Sequence, residues 1–166
     1  ALPIYSTPTS PAPSVNLNDP VLVLEREVLK IRLQFPELVS DWKDLEGNAF
    51  TYERYAKLRI ALESTSETDP NKILEKISDH NIKSLATELI VEPIRVDREI
   101  SDKYVQSIFA RLREVALTRT ISEIKSKLQR LNPVENADEY SAIFTELVSL
   151  EAKKRAQKEL AVGELG

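Results

Sequence analysis

The chain has 166 residues, of which 42% are apolar and 30% are charged, and its formal net charge is −4. This length and composition are typical of a globular domain that can bury a real core. The chain has no cysteine, which excludes disulfides, thiolate metal sites and a thiol nucleophile and suits an intracellular protein. Three glycines offer little turn chemistry for β-hairpins or phosphate-binding loops, so the expected fold class is all-α.

The ends and the charge distribution limit the possible roles of the chain. No run approaches the ~18 apolar residues that cross a bilayer, and the amino end lacks a signal-peptide pattern. Because the chain begins with Ala and contains no Met, we expect it to be a fragment of a longer protein. Residues 101–166 contain 11 Lys and Arg against 10 Asp and Glu, which is not the basic excess that nucleic-acid binding usually needs.

The first 18 residues contain four of the nine prolines and no charged residue. This composition disfavours a packed helix or strand and predicts a linker over residues 1–19. The stretch PTSPAP could also be a polyproline ligand, but no Arg or Lys lies beside it.

The first predicted helix starts at a clear signal, because Asp19 can cap it and Pro20 suits its first turn. It ends before Pro36, and its broad apolar surface predicts a central place in a helical bundle. A solvated face is expected for its charged residues Glu25, Arg26, Glu27 and Lys30. The two glutamates are two positions apart, so they do not face each other and are poor candidates for a metal pair.

Four further segments are predicted to complete the bundle. They are a short helix over residues 37–44, a helix from Thr51 to about residue 63, a helix from Pro70 to about residue 80, and a helix over residues 82–91. Trp42 is expected to anchor the core. Thr51 and Asp69 can cap the second and third of these helices.

The longest predicted helix covers residues 101–132 and changes its apolar face near the middle. Apolar residues recur at 3,4,3 spacing in its first half and at 4,3,4,3 spacing in its second half. The stripe changes between Val115 and Leu117, a turn of about 200° at ~100° per residue. We therefore expect the first half to close the bundle and the second half to pair with another helix, with residues 116–120 as the junction.

A final helix is predicted from about Ala137, after Asn132 and Pro133 interrupt the long one. Its apolar residues match those of the long helix in antiparallel order. The expected pairs are Tyr140 with Leu131, Ile143 with Leu128, Leu147 with Ile124, and Leu150 with Ile121. The pattern predicts a bundle subdomain over residues 20–116 and a projecting helical hairpin over residues 117–166, joined by one shared helix.

Apolar side chains beside the hairpin seam indicate a partner-binding surface, although the hairpin could also fold back and cover them itself. Phe144 and Val148 lie to the side of the seam, and Leu160 lies beyond its end. Flanking Lys and Arg residues could steer an acidic partner. The predicted partner-binding residues are Lys127, Arg130, Leu131, Tyr140, Phe144, Val148, Lys154, Arg155, Lys158 and Leu160.

Patterns for catalysis are weak. His80 is the only histidine and lies near a predicted helix end, where a surface or capping role is expected. The acidic cluster Asp97, Glu99 and Asp102 precedes the long helix, and a helix dipole favours acids in the first turn without any metal. With no Gly-rich phosphate loop and no His or Cys cluster, we expect no active site, cofactor or metal in this chain.

Three stretches of this chain resemble the carboxy-terminal helicase-interaction domain of bacterial primase. They are VLEREVLKIRLQFPELV at residues 23–39, FTYERY at residues 50–55, and LQRLNPVENADEYSAIFTELVSLEAKKRA at residues 128–156. The resemblance covers about residues 20–162. The amino-terminal domain of the replicative helicase has a similar fold and opening helix, whereas the NPVE hairpin segment is more typical of primase.

The resemblance implies a non-catalytic module whose hairpin docks on the amino-terminal domains of the hexameric replicative helicase. By the same resemblance, this module would recruit primase to the replication fork in the bacterial cytoplasm, and its bundle would modulate the helicase. Primer synthesis would reside in a preceding polymerase domain, and a single-strand DNA-binding protein is a possible second partner. The alternatives are a helicase amino-terminal domain or another self-associating helical module, and direct nucleic-acid binding, which the overall charge disfavours.

Overall fold

The computed structural model describes residues 14–40, 42–94 and 99–163. Its α-helices are α1 (Pro20–Gln34), α2 (Glu53–Glu63), α3 (Pro70–Lys76), α4 (His80–Val91), α5 (Asp102–Arg130) and α6 (Ala137–Val162). No strand occurs in these ranges, so the predicted all-α class is confirmed. None of their helices has the length and apolar character needed to cross a bilayer. Most of the predicted linker, residues 1–13, and the acidic residue Asp97 lie outside the described ranges.

Two helices begin at the predicted combination of an aspartate cap and a proline. The Asp19 carboxylate accepts a hydrogen bond from the Val21 amide at 2.8 Å, and the Asp69 carboxylate accepts one from the Asn71 amide at 2.9 Å. Each cap satisfies a backbone donor that has no partner inside the helix, and the following proline has no donor to lose. Local sequence therefore determines where α1 and α3 start.

The connection between α1 and α2 differs from the prediction. The prediction of a single helix over residues 37–44 is wrong, because this segment contains two short 3-10 turns instead, Pro36–Leu38 and Trp42–Asp44. Val39 has an extended backbone and ends the first turn. The expected role of Trp42 as a core anchor is confirmed, since its buried ring lies 6.1 Å from the ring of Phe50 and 6.2 Å from that of Phe109.

Two other predicted boundaries are wrong. Thr51 does not cap α2, since Tyr52 occupies the N-cap position. The third helix does not reach residue 80, because α3 ends at Lys76 and a new helix starts at His80. Asp79 causes this restart, since its carboxylate accepts from the amides of Asn81 at 2.9 Å and Ile82 at 3.3 Å.

The solvated face predicted for α1 is wrong, because α1 is covered on nearly all sides. Glu25 has no exposed surface, and Glu27 and Lys30 are also buried. Glu25 accepts hydrogen bonds from the Thr51 amide at 2.7 Å and the Thr51 hydroxyl at 2.6 Å. Lys30 lies 2.9 Å from Glu27 and donates to the Pro93 carbonyl at 3.0 Å. Polar groups buried with such partners avoid the cost of an unpaired buried charge.

A polar network also joins α1 to the end of α4. The Arg26 guanidinium donates to the carboxylates of Glu88 and Glu92 and to the Tyr55 hydroxyl. This hydrogen bonding raises the pKa of Arg26 and holds the pKa of Glu92 below its usual range. The Gln34 amide donates to the Leu89 and Glu92 carbonyls at 2.8 and 2.6 Å, so α1 also caps the last turn of α4.

The long helix α5 is one unbroken α-helix of 29 residues, about 44 Å long at 1.5 Å per residue. Its first half buries Val105, Phe109 and Leu112 in the bundle core. The stripe therefore changes face without any break in the helix. Its antiparallel partner α6 extends to Val162, beyond the predicted pairing with residues 137–155, so the last turns of α6 return beside the first half of α5.

Candidate partner-binding hairpin

A side chain rather than a glycine closes the tight connection between α5 and α6. The Asn132 carboxamide oxygen accepts from the amides of Val134 at 2.8 Å and Glu135 at 3.2 Å, and the Asn136 amide donates to the Asn132 carbonyl at 2.9 Å. Pro133 cannot continue α5, and an asparagine side chain that bonds amides two and three residues ahead stabilises the turn. This local chemistry reverses the chain and sets α6 antiparallel to α5.

The seam between the two helices contains the residues predicted for it. Ile121 and Leu128 of α5 and Ile143 of α6 are buried, and the other apolar residues of the predicted pairs are half-buried. An ion pair of 3.2 Å between Lys125 and Glu151 joins the helices along one edge. Alternating spacings of three and four residues keep both apolar stripes in register, as in an antiparallel coiled coil.

Exposed apolar side chains lie outside this seam. Phe144 is 51% exposed and Val148 is 54% exposed, one helical turn apart on α6. The hairpin therefore does not fold back and cover them. Val134 is 84% exposed at the turn and is not among the site residues predicted from the sequence. Its place between Pro133, which follows the end of α5, and Asn136, the N-cap of α6, is the signal that could have identified it, because a residue at a hairpin tip has few neighbours.

The other predicted site residues occupy different parts of the hairpin. Lys127 and Arg130 are exposed on α5, and Arg155 and Lys158 are exposed on α6. Leu131 and Tyr140 are half-buried at the end of the seam near the turn. Lys154 does not flank the seam but continues it, four residues after Leu150, and it lines a cavity together with Lys125 and Glu151.

Leu160 lies far from the other apolar site residues. It is 53% exposed and lines a cavity with Leu38 and Val39 of the bundle. Sixteen residues of α6 separate it from Phe144, a distance of about 24 Å at 1.5 Å per residue. The structure therefore does not bring the ten predicted residues together into one patch.

The charges along α6 are predominantly acidic near the turn and predominantly basic near its other end. Carboxylates cluster near the turn at Glu135, Asp138 and Glu139, where the start of a helix favours them. Cations cluster at the other end, at residues 153–155 and Lys158. Phe144 and Val148 lie between the two groups. A complementary partner surface would therefore be apolar at its centre and acidic on the side that faces the base of α6.

Nothing in the described ranges forms a group of three or more His, Asp and Glu side chains that could bind a metal. His80 is exposed at the first position of α4, and Asp102 lies in the first turn of α5 behind the Ser101 cap. The fold and the site thus define a helical interaction module, in which a bundle supports a hairpin with exposed apolar side chains.

A family model described as "DNA primase DnaG DnaB-binding" matches residues 25–143. The chain belongs to this family. It is 38% identical to a DNA primase of Mycobacterium tuberculosis over 98% of its length, and 34% identical to a DNA primase of Streptomyces coelicolor over 87%. These matches cover 27% and 24% of the relatives, so the chain spans about a quarter of the curated primases that it matches.

A solved structure has the same fold. It is described as the helicase binding domain of primase from Mycobacterium tuberculosis, and it matches with a TM-score of 0.67 and 37% sequence identity. The match covers 86% of this chain and 94% of that one. The bundle and the hairpin together therefore correspond to a structural unit that also exists in a relative.

Proposed function

We propose that this chain is the domain of a bacterial primase that docks on the amino-terminal domains of the replicative helicase and recruits primase to the replication fork. The observation that supports this function most directly is the family match, which spans the bundle and the first part of the hairpin. A helicase amino-terminal domain, the alternative from the sequence, is disfavoured because the matching family and relatives are primases.

Phe144 and Val148 are proposed as the centre of the docking surface. Both project from a rigid helix, so binding would order few additional side chains and would cost little conformational entropy. Fully burying such a side chain contributes roughly 1.5–3 kcal/mol, and about half of each is already buried. Their remaining exposed surface would therefore contribute about 1 kcal/mol each. An aspartate at either position would carry a charge into the same apolar contact and would cost more than the lost area.

The cations at the base of α6 are proposed to guide association. Lys153, Arg155 and Lys158 are exposed, and exposed charges act mainly on the association rate and on its salt dependence. The domain would accordingly bind an acidic helicase surface faster at low ionic strength. Raising the salt concentration should lower the association rate more than it raises the dissociation rate.

Titration of the chain with the replicative helicase hexamer tests both the function and the site. The wild-type chain should form a complex at micromolar concentrations, and the double variant Phe144→Asp with Val148→Asp should bind at least 100-fold more weakly. Ile60→Asp is a matched control, because Ile60 is 59% exposed on α2, away from the hairpin. Failure of the wild-type chain to bind would refute the function, whereas unchanged affinity of the double variant would refute only the site.

The division of labour within the domain is part of the same proposal. Residues 20–116 would modulate the helicase, and residues 117–166 would hold it, with α5 shared by both. The domain would have no catalysis of its own, and primer synthesis would belong to another part of the parent primase in the bacterial replisome. Helicase unwinding assays with each subdomain variant would distinguish the two roles, since holding affects affinity and modulation affects rate.

A single-strand DNA-binding protein is a second proposed partner, favoured by an apolar groove between α1 and α5. Val21 and Val115 line two adjoining cavities there, and Arg111 and Arg119 lie at their rims. An apolar peptide with acidic residues would match this surface. Replacing the helicase with the single-strand DNA-binding protein in the same titration tests this proposal independently of the hairpin.

A further inference from the structure

The two halves of α6 are held by very different contacts, although they form one continuous helix. From the turn to Leu150, every seam position of α6 carries a large apolar or aromatic side chain. Continuing the same alternating spacing of four and three residues, the next seam positions are Lys154, Gln157 and Ala161. Two of these are polar and half-buried, and the third is small and buried. The apolar seam therefore ends near the middle of α6.

The polar seam positions are imperfectly satisfied. The Gln157 side-chain oxygen is buried and accepts no hydrogen bond from the described residues. Opposite these positions, the register of the hairpin places Leu117 near Lys154 and Ala110 near Ala161. A lysine stem can cover part of a leucine, but its ammonium group must remain in water. These contacts therefore stabilise the pairing of α5 with α6 less than the paired leucines and isoleucines nearer the turn do.

Among the described residues, cavities separate this half of α6 from the bundle on its other side. A cavity of about 460 Å³ lies between residues 44–49 of the bundle and the α6 residues Lys153, Ala156 and Gln157. A second cavity of about 270 Å³ separates Leu160 from Leu38 and Val39. Arg113 of α5 lines both cavities, which follow one another along α6 and are together called the groove below. Among the described residues, α5 is the only element with which α6 has extensive contacts.

We infer that residues 151–162 form a latch that leaves α5 and loses its helical hydrogen bonds as one unit, because so short a helix is marginally stable alone, while residues 137–150 stay paired. Segments with few buried apolar contacts open locally at a lower free energy than the rest of a domain. Detachment would widen the groove and uncover the α5 surface around Arg113 and Leu117, which the closed latch covers. The hairpin end near the turn would keep its shape, because its own seam remains intact.

Amide hydrogen exchange of the free chain, followed residue by residue by NMR, tests the latch. Amides of residues 151–162 should exchange through a shared opening, at least tenfold faster than those of residues 140–150. The change in exchange rate along α6 should occur at Leu150, where the apolar seam ends. Fraying of a helix end is different, because it decreases within one turn from the end. Protection that is uniform through α6, or that is lost only in the last turn, would overturn the latch.

A variant that completes the seam provides a second test. Lys154→Leu with Gln157→Leu should slow exchange of residues 151–162 at least tenfold and leave residues 140–150 unchanged. The matched control is Ala152→Leu with Glu159→Leu, because both residues are exposed on the opposite side of α6 and should leave the change in exchange rate at Leu150 in place. Equal slowing by both double variants would show that helix propensity rather than the seam controls opening, and would also overturn the inference.

Discussion

Replacing Glu25 tests how a buried carboxylate joins the first two helices. Glu25 has no exposed surface, and its two oxygens accept three hydrogen bonds from the residues that precede α2. Two come from the amide and hydroxyl of Thr51, and the third comes from the Tyr52 amide at 3.2 Å. Glu25→Ala would remove all three bonds at once and leave the backbone donors without their acceptor.

The expected cost follows from the number and kind of these bonds. Hydrogen bonds to a charged group contribute about 1.5–3 kcal/mol each, and the cost of removing a carboxylate from water offsets much of their sum. Removing one partner from a buried charged contact typically costs 3–5 kcal/mol. We expect Glu25→Ala to lower the free energy of unfolding by about 3 kcal/mol. This value is near the lower limit because Thr51 itself is exposed and water can reach part of the site. Glu25→Gln keeps one acceptor and should cost about 1–2 kcal/mol.

Urea denaturation and thermal melting followed by circular dichroism measure this cost. At about 2–4 °C per kcal/mol for a chain of this size, Glu25→Ala should lower Tm by about 6–12 °C. Glu75→Ala is the control, because Glu75 is exposed on α3 and should change the free energy of unfolding by less than about 0.5 kcal/mol. A loss below about 1 kcal/mol for Glu25→Ala would refute the reasoning, since the three bonds would then contribute no more than exposed ones.

Two further predictions concern the ends of α4. Arg26 holds the pKa of Glu92 below its ordinary value of 4.5, so the ion pair adds stability above that pH and loses it as the pH falls through the lower folded value. Glu92→Gln should therefore lower the free energy of unfolding by about 1–2 kcal/mol at pH 7 and by progressively less in acid. Urea denaturation between pH 3 and 7 measures this loss, and a loss independent of pH would contradict the prediction. Asp79→Ala should lower Tm by about 2–4 °C through the loss of about 1 kcal/mol of capping, whereas Ser78→Ala, one residue earlier and exposed, should not.

The candidate site was predicted only in part. Phe144 and Val148 were identified because a helix that supplies four apolar seam residues has no place in that seam for two more. Leu160 was also named from the sequence, but its distance from Phe144, like the exposure of Val134, depends on where the ends of the helices lie in space. The periodicity of α6 does not show that its last turns reach Leu38 and Val39, and Val134 is exposed because the hairpin tip has few neighbours among the described residues.

Local sequence determined the elements that depend on neighbouring residues. Aspartate before proline starts α1 and α3, and asparagine before proline reverses the chain after α5, because these effects act within one or two turns. The reversal then brings the regularly spaced apolar stripes of α5 and α6 side by side, so their pairing could also be predicted. The burial of the charged side chains of α1 was determined only by the tertiary structure. Glu25 finds its donors 26 and 27 residues later, and Arg26 finds Glu92 66 residues later. A periodic pattern scores such residues as exposed because charge usually stays in water, and only partners brought from distant parts of the chain make their burial possible.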